Sequence, residues 1–303
     1  MIISIKDNWK HAVDIHTKYL NAIIVDFLNK RKPRLLGKVK AREFIEEIHH
    51  LVLLSSREDI LESIDIYLRY KNSFSENPSE LLTFNKQLKS VFNYNKFVRK
   101  SGEWNAYKLC EKSLTRTCPY CNHSFAFTIQ IDARGFRPTL DHFYSKDDFP
   151  HLALTLNNLV PSCNTCNSSL KGKKNFYINE HLNPLWDDEN LTFNLSHEDG
   201  VLNIENGIRI SSENLRVNLS MDEECSLSEL SLRTFLLQER YSMLTVEAAD
   251  FAICKLNFEH AKNSGVDYFR DIDESLLLRF DKNEYKKSIL GKLYFDLYRQ
   301  LDS

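Results

Sequence analysis

Glycine and proline are scarce in this chain, 8 and 7 residues among 303. That excludes collagen-like repeats and Pro/Gly-rich disorder and leaves a composition suited to a helix-rich globule. No apolar run approaches the roughly 20 residues needed to cross a bilayer; one of the most apolar, Leu51-Val-Leu-Leu54, is short. The opening MIISIKDNWK is charged and has no small-residue cleavage site, so it does not read as a secretory signal. Neither end carries a lipidation motif, and a cytoplasmic protein without membrane attachment is expected. Internal repeats and low-complexity tracts are absent too.

What is present is a large apolar complement, 42% of residues including 19 Phe and 13 Tyr, enough to bury a core without disulfides. The length fits about two domains at the usual ~100–200 residues each. The formal charge of −2 hides a gradient: residues 1–116 hold 21 basic and 14 acidic side chains, residues 185–303 hold 13 and 23. A basic segment suits a polyanion and an acidic one a protein surface, although solvated helix faces alone produce such counts.

Helical spacing runs from Asp7 to Lys30, then at about 38–54 and 57–70. Asn77-Pro78-Ser79-Glu80 reads as a cap, a first-turn proline and a capping-box glutamate opening a helix to about Arg99. One more helix is expected around Glu103–Leu114. The alternation of Phe125, Phe127, Ile129 and Ile131, with Gly135 and Pro138-Thr-Leu140 after it, predicts a β-hairpin. A second β region is expected at 191–210, where Asp199-Gly200 and Asn206-Gly207 are turn dipeptides. Helices resume from Ser226.

Seven cysteines are an odd number, and four of them form two pairs, Cys118-Pro-Tyr-Cys121 and Cys163-Asn-Thr-Cys166. In a chain with no secretory signal, such pairs point to metal rather than disulfides. Four thiolates close a tetrahedron around Zn²⁺ and leave no open position, so this zinc is expected to be structural. Cys110, Cys225 and Cys254 fall in helical patterns and read as small buried side chains. Between the knuckles stand Leu140-Asp141-His142-Phe143 and Asn157-Asn158-Leu159-Val160-Pro161; just after them come Asn167, Lys171, Lys173 and Lys174.

In this order and spacing, residues from about Cys118 to Lys174 resemble the HNH endonuclease family, whose ββα-metal core reads CPxC, a strand ending in DH, NLxxxC, then CxxCH or CxxCN. This chain departs from the commoner pattern at the last letter, with Asn167 for His. The wider segment, DHFYSKDDFPHLALTLNNLVPSCNTCNSSLKGKK, is similar to PtuB, the HNH subunit of Septu and retron-associated anti-phage systems. That resemblance implies a PtuA-like ATPase partner and a role in antiviral defence.

The chemistry calls for these residue types independently. Phosphodiester hydrolysis needs an activated water and a cation to offset developing charge. His142 is the expected general base, with Asn158 accepting from its non-reacting ring nitrogen. Asp141, on the opposite face of an extended strand, and Asn167 are the expected ligands of a catalytic Mg²⁺ or Mn²⁺. Lys171, Lys173 and Lys174 suit phosphate contacts. Lys146 fits that role or a solvated loop equally, and His123 is expected to cap the zinc thiolates or face solvent rather than bind metal. His151 and His181 are expected on exposed loops.

The sequence therefore predicts a mainly α (α+β) fold: a helical region over 1–116, a zinc-stabilised ββα-metal core over 117–184, and a β-hairpin with acidic helices over 185–303. The predicted activity is endonucleolytic cleavage, DNA ahead of RNA. The alternative from another class is a non-catalytic, zinc-stabilised nucleic-acid-binding or adaptor module.

Overall fold

The computed structural model describes residues 2–99, 102–131, 134–197, 214–221, 226–264 and 272–302. Helices α1 (Val13–Asn29), α2 (Leu36–Leu54), α3 (Arg57–Asn72) and α4 (Pro78–Val91) form an N-terminal layer in which α2 packs along both α3 and α4. Ser56 starts α3 with a reciprocal capping box, Ser56 Oγ accepting from Asp59 N and Asp59 Oδ2 from Ser56 N. At α4 the expected box does not form. Glu80 instead accepts from the Gly37 amide at 2.6 Å across to α2, where a Cβ on Gly37 would lie 2.4 Å from the Glu80 carbonyl oxygen. The tertiary contact takes the carboxylate that the local motif would have used.

Two of the expected helices, α1 and α4, are shorter than their apolar periodicity. Residues before Val13 are turns, because Asn8 Oδ1 accepts from the Leu114 and Thr115 amides and Trp9 Nε1 donates to Leu159 O at 3.0 Å. After Val91 the chain breaks, then forms the single turn α5 (Tyr94–Phe97); α6 (Ala106–Glu111) follows under an Asn105 cap.

The strands pair differently from the expected 125–140 hairpin. β1 (Ile129–Ile131) pairs only with β2 (Arg134–Phe136), while β3 (Thr139–His142) runs antiparallel to β4 (Leu159–Ser162), Asp141 opposite Val160 and His142 opposite Leu159. A wide π-helix, Thr165–Lys171, follows the second cysteine pair. These last three elements form a ββα unit. β5 (Leu191–His197) begins where expected, but its partner β6 (Leu215–Met221) lies beyond 210. The two turn dipeptides and Cys225 fall outside the described residues.

Helices α7 (Ser226–Thr234), α8 (Leu237–Ser242), α9 (Thr245–Asn263), α10 (Glu274–Leu278) and α11 (Gly291–Asp302) complete the chain. The fold is mainly α with small antiparallel sheets. One hydrophobic core runs through Ile24 and Phe44 of the N-terminal layer, Leu140 and Val160 of the ββ pair, and Phe193 and Leu297 beyond. Cys110 is buried as expected, whereas Cys254 is exposed on the outer face of α9.

Candidate active site

The four cysteines converge. Their Sγ atoms all lie within 4.8 Å of one another, and Cys121 Sγ is 4.0 Å from Cys163 Sγ, close to the ~3.8 Å edge of a tetrahedron with Zn–S bonds of about 2.3 Å. Zinc therefore fits this cluster. From α8, Arg240 Nη1 donates to Cys166 Sγ at 3.4 Å, and the Tyr241 hydroxyl to Cys121 O at 2.7 Å, so the C-terminal half closes the knuckles from outside.

Each knuckle also sends one side chain to Asp141. Tyr120, inside the first pair, donates from its hydroxyl to Asp141 Oδ2 at 2.6 Å. Lys171, at the end of the π-helix that the second pair opens, donates to Asp141 Oδ1 at 2.6 Å and also to the His142 carbonyl. Asp141 and Lys171 are 3% and 4% exposed, so this ion pair is shielded from solvent. The Lys171 ammonium also lies 4.7 Å from the Phe176 ring centre.

His142 ends β3. Its Nε2 is 3.0 Å from the Ala153 carbonyl; a carbonyl only accepts, so in the neutral ring Nε2 carries the proton and Nδ1 the lone pair. Nδ1 has no hydrogen-bond partner among the described residues. Burial lowers the imidazole to about 4, which keeps it neutral near pH 7. The Tyr94 ring stands edge-on to it at 4.4 Å.

Asn158 does not touch that ring, contrary to the expectation from sequence. Its Oδ1 accepts from Tyr144 N at 2.8 Å, and its Nδ2 donates to Tyr144 O and Leu152 O. The amide thus staples the loop from Tyr144 to Leu152, and the next residue, Ala153, holds His142. Asn158 acts on the base through the loop.

Asp141, His142, Asn167, Lys146, Lys171 and Lys174 line one cleft of about 390 Å³, with Arg137, Thr139 and Ser145. Residues 118–173 match the family model of the HNH endonucleases. The match spans this segment of the chain, the one that holds the cysteine cluster and the cleft. No curated protein matches the chain, and no solved structure does.

Within the matched segment the lysines divide. Lys173 and Lys174 are exposed and Lys146 is partly so, 3.6 Å from Asp147, whereas Lys171 is consumed by Asp141 and is not a free phosphate contact. His151 and His181 are not on exposed loops. His151 packs between the Phe44 and Tyr67 rings with Nε2 3.2 Å from Ser63 Oγ, and burial lowers it to about 3. His181 stacks on Phe176 at 3.8 Å and bonds Thr234 Oγ1. His123 is half-buried beside Tyr241.

Tyr120 and Arg137 were not foreseen. Tyr120 was legible only as the spacer of a CPYC knuckle. Arg137 immediately precedes the Pro138-Thr-Leu-Asp-His run and carries a buried Nε with no partner.

The donor set for a second, catalytic cation differs from the zinc site. Among the described residues, only the four cysteines form a group of three or more His, Cys, Asp or Glu donors. Each Asp141 oxygen nevertheless keeps a lone pair after serving Tyr120 and Lys171, and the Asn167 amide shares the cleft. Oxygen donors this few fit a hard ion that draws its remaining ligands from water and phosphate. Lys171 offsets the carboxylate charge such an ion would use.

Proposed function

We propose that this chain is a metal-dependent endonuclease that hydrolyses phosphodiester bonds of nucleic acid at the Asp141/His142 cleft. The observation that carries the reading is the posture of His142: Nε2 is tied to Ala153 O, and the basic Nδ1 has no partner among the described residues beside a cleft lined by lysines. An imidazole so held takes a proton from a water attacking phosphorus. Asp141 and Asn167 would hold a Mg²⁺ or Mn²⁺ ion, which when bound offsets charge on the phosphate and its leaving oxygen. Lys146, Lys173, Lys174 and Arg137 bind flanking phosphates, and Asn158 keeps the Ala153 loop in register.

DNA is the leading substrate, as in most of the family. Incubating the purified chain with DNA and with RNA in Mg²⁺ or Mn²⁺ tests the reading. Cleavage that stops with EDTA supports it; binding without cleavage under every metal supports a non-catalytic adaptor instead.

The PtuB-like segment further supports a cytoplasmic defence role with a PtuA-like ATPase as partner. A specific surface favours a protein partner: Phe125, Ile129, Ile131 and Phe136 are all exposed on or beside the β1–β2 hairpin, and clustered apolar exposure of this kind marks interaction sites. Co-purification with the adjacently encoded protein tests it, and loss of that complex with Ile131→Asp would place the contact.

A further inference from the structure

A second hollow lies outside the Asp141/His142 cleft. It measures about 970 Å³ against about 390 Å³ for the cleft, and α1, the start of α2, the end of α4, α5 and residues 102–104 form its walls. Six basic side chains face it, Lys18, Lys30, Arg31, Lys38, Arg42 and Lys96, against two acidic ones, Asp26 and Glu103. Two of the six are spoken for. Lys30 pairs with Asp26 at 2.7 Å, and Arg42 is engaged by Glu46 and by the Leu28 and Lys30 carbonyls. The other four, Lys18, Arg31, Lys38 and Lys96, are exposed and have no ion-pair partner among the described residues.

The floor of this groove is aromatic, with Tyr19, Phe27 and Trp104 half-buried in it. Unpaired cations on the walls and flat rings on the floor are what an unpaired nucleic-acid strand uses, phosphates against the first and base faces against the second. A duplex would present phosphates to the rim and leave the rings without a partner.

The groove also adjoins the catalytic cleft. Asn93 and Lys96 border the groove, while Tyr94 and Val98 border the cleft, so the wall between them is α5, four residues and about 6 Å of helix. They are joined underneath as well. Trp104 Nε1 donates to His16 Nδ1 at 3.1 Å, His16 Nε2 donates to Leu154 O at 2.7 Å, and Leu154 follows Ala153, which holds His142.

We propose that this groove binds an unpaired segment of the nucleic-acid substrate next to the scissile phosphate, deepening the nuclease reading on which it rests. The test uses the full chain carrying His142→Ala, so that bound strands are not cut, with fluorescein-labelled single-stranded and duplex oligonucleotides of both DNA and RNA followed by anisotropy across a salt titration. The single strand binds more tightly than the duplex, and the DNA and RNA arms show which sugar is preferred. Combining Lys18→Gln, Arg31→Gln, Lys38→Gln and Lys96→Gln lowers the log–log salt slope by roughly 3, at about 0.7 per phosphate contact for single strands.

Photo-crosslinking of a 5-iodouracil-containing strand to the chain without the glutamine substitutions keeps the proposal falsifiable if the quadruple variant misfolds: peptides containing Tyr19 or Trp104 carry the crosslink. An unchanged slope in a folded quadruple variant, tighter binding of duplex, or crosslinks confined to residues 137–174 overturns the groove. If the wild-type chain still cuts in those cases, the nuclease reading stands without it. A chain that neither binds nor cuts any of the four oligonucleotides loses both.

Discussion

The Tyr120 hydroxyl and the Asp141 carboxylate are joined by a 2.6 Å hydrogen bond between two buried groups, of which Asp141 also borders the cleft. Tyr120 sits between two cysteines of the cluster that fits zinc and Asp141 precedes the proposed base, so the bond ties that cluster to the proposed reacting centre. Tyr120→Phe removes that bond without changing the ring that stacks on Phe235 at 4.4 Å. A hydrogen bond to a charged group contributes about 1.5–3 kcal/mol; cleavage should fall by roughly 10- to 100-fold while zinc content, measured by mass spectrometry, stays at that of the parent.

Zinc itself is expected at one ion per chain. Cys118→Ser or Cys163→Ser breaks a four-cysteine site that α8 also holds, Arg240 donating to Cys166 Sγ and Tyr241 to the Cys121 carbonyl. Circular dichroism and limited proteolysis should then show loss of the central region and loosening of the C-terminal helices. Soluble, folded protein without zinc would refute the scaffold.

Lys171→Met leaves Asp141 charged and buried without its counter-ion. Breaking such a pair costs about 3–5 kcal/mol, so the melting temperature of the zinc-loaded variant without added Mg²⁺ or Mn²⁺ should drop markedly. The same change frees Asp141 for a divalent cation, so added Mn²⁺ should raise the variant's melting temperature by more than it raises the wild type's. An equal rise in both would show that Lys171 does not compete for that carboxylate.

The buried histidines give a pH dependence. Burial lowers His16 to about 4, His151 to about 3 and His181 to about 4, below the unfolded value of about 6.5. Between those values the unfolded chain binds protons that the folded chain refuses, so the stability these histidines contribute above about 6.5 is lost as pH falls toward about 4 for His16 and His181 and about 3 for His151. Each imidazole contributes up to roughly 1.4 kcal/mol per pH unit in that window. His151→Phe, placed among Phe44, Tyr67 and Phe149, should flatten the slope of unfolding free energy against pH.

How far these features could be read in advance depended on how local their causes are. Cysteine spacing and the Asp-His step are local, and the four sulfurs and the β3 terminus stand where spacing put them. The partners of Asp141 and His142 come from elsewhere: Lys171 from the end of a π-helix, Ala153 O from a loop stapled by Asn158. Backbone carbonyls have no letter in a sequence, which is why a side chain, Asn158, was expected where Ala153 acts. His151 and His181 stand in loop-like text, yet packing by Phe44, Tyr67 and Phe176 from distant segments buries both. The helix start at Trp9 and the capping box at Glu80 failed for the same reason, because their long-range hydrogen bonds override local pattern.

The central claim is that His142, held by Ala153, is the base of a phosphodiester hydrolase. The most direct measurement is the single-turnover cleavage rate of His142→Ala beside the wild type, on the same nucleic acid and at matched zinc content. The account predicts a folded, zinc-loaded variant that still binds substrate and cuts it at least about 10²-fold more slowly, within the ~10²–10⁴ range for loss of a general base. Near-wild-type cutting by that variant would contradict it.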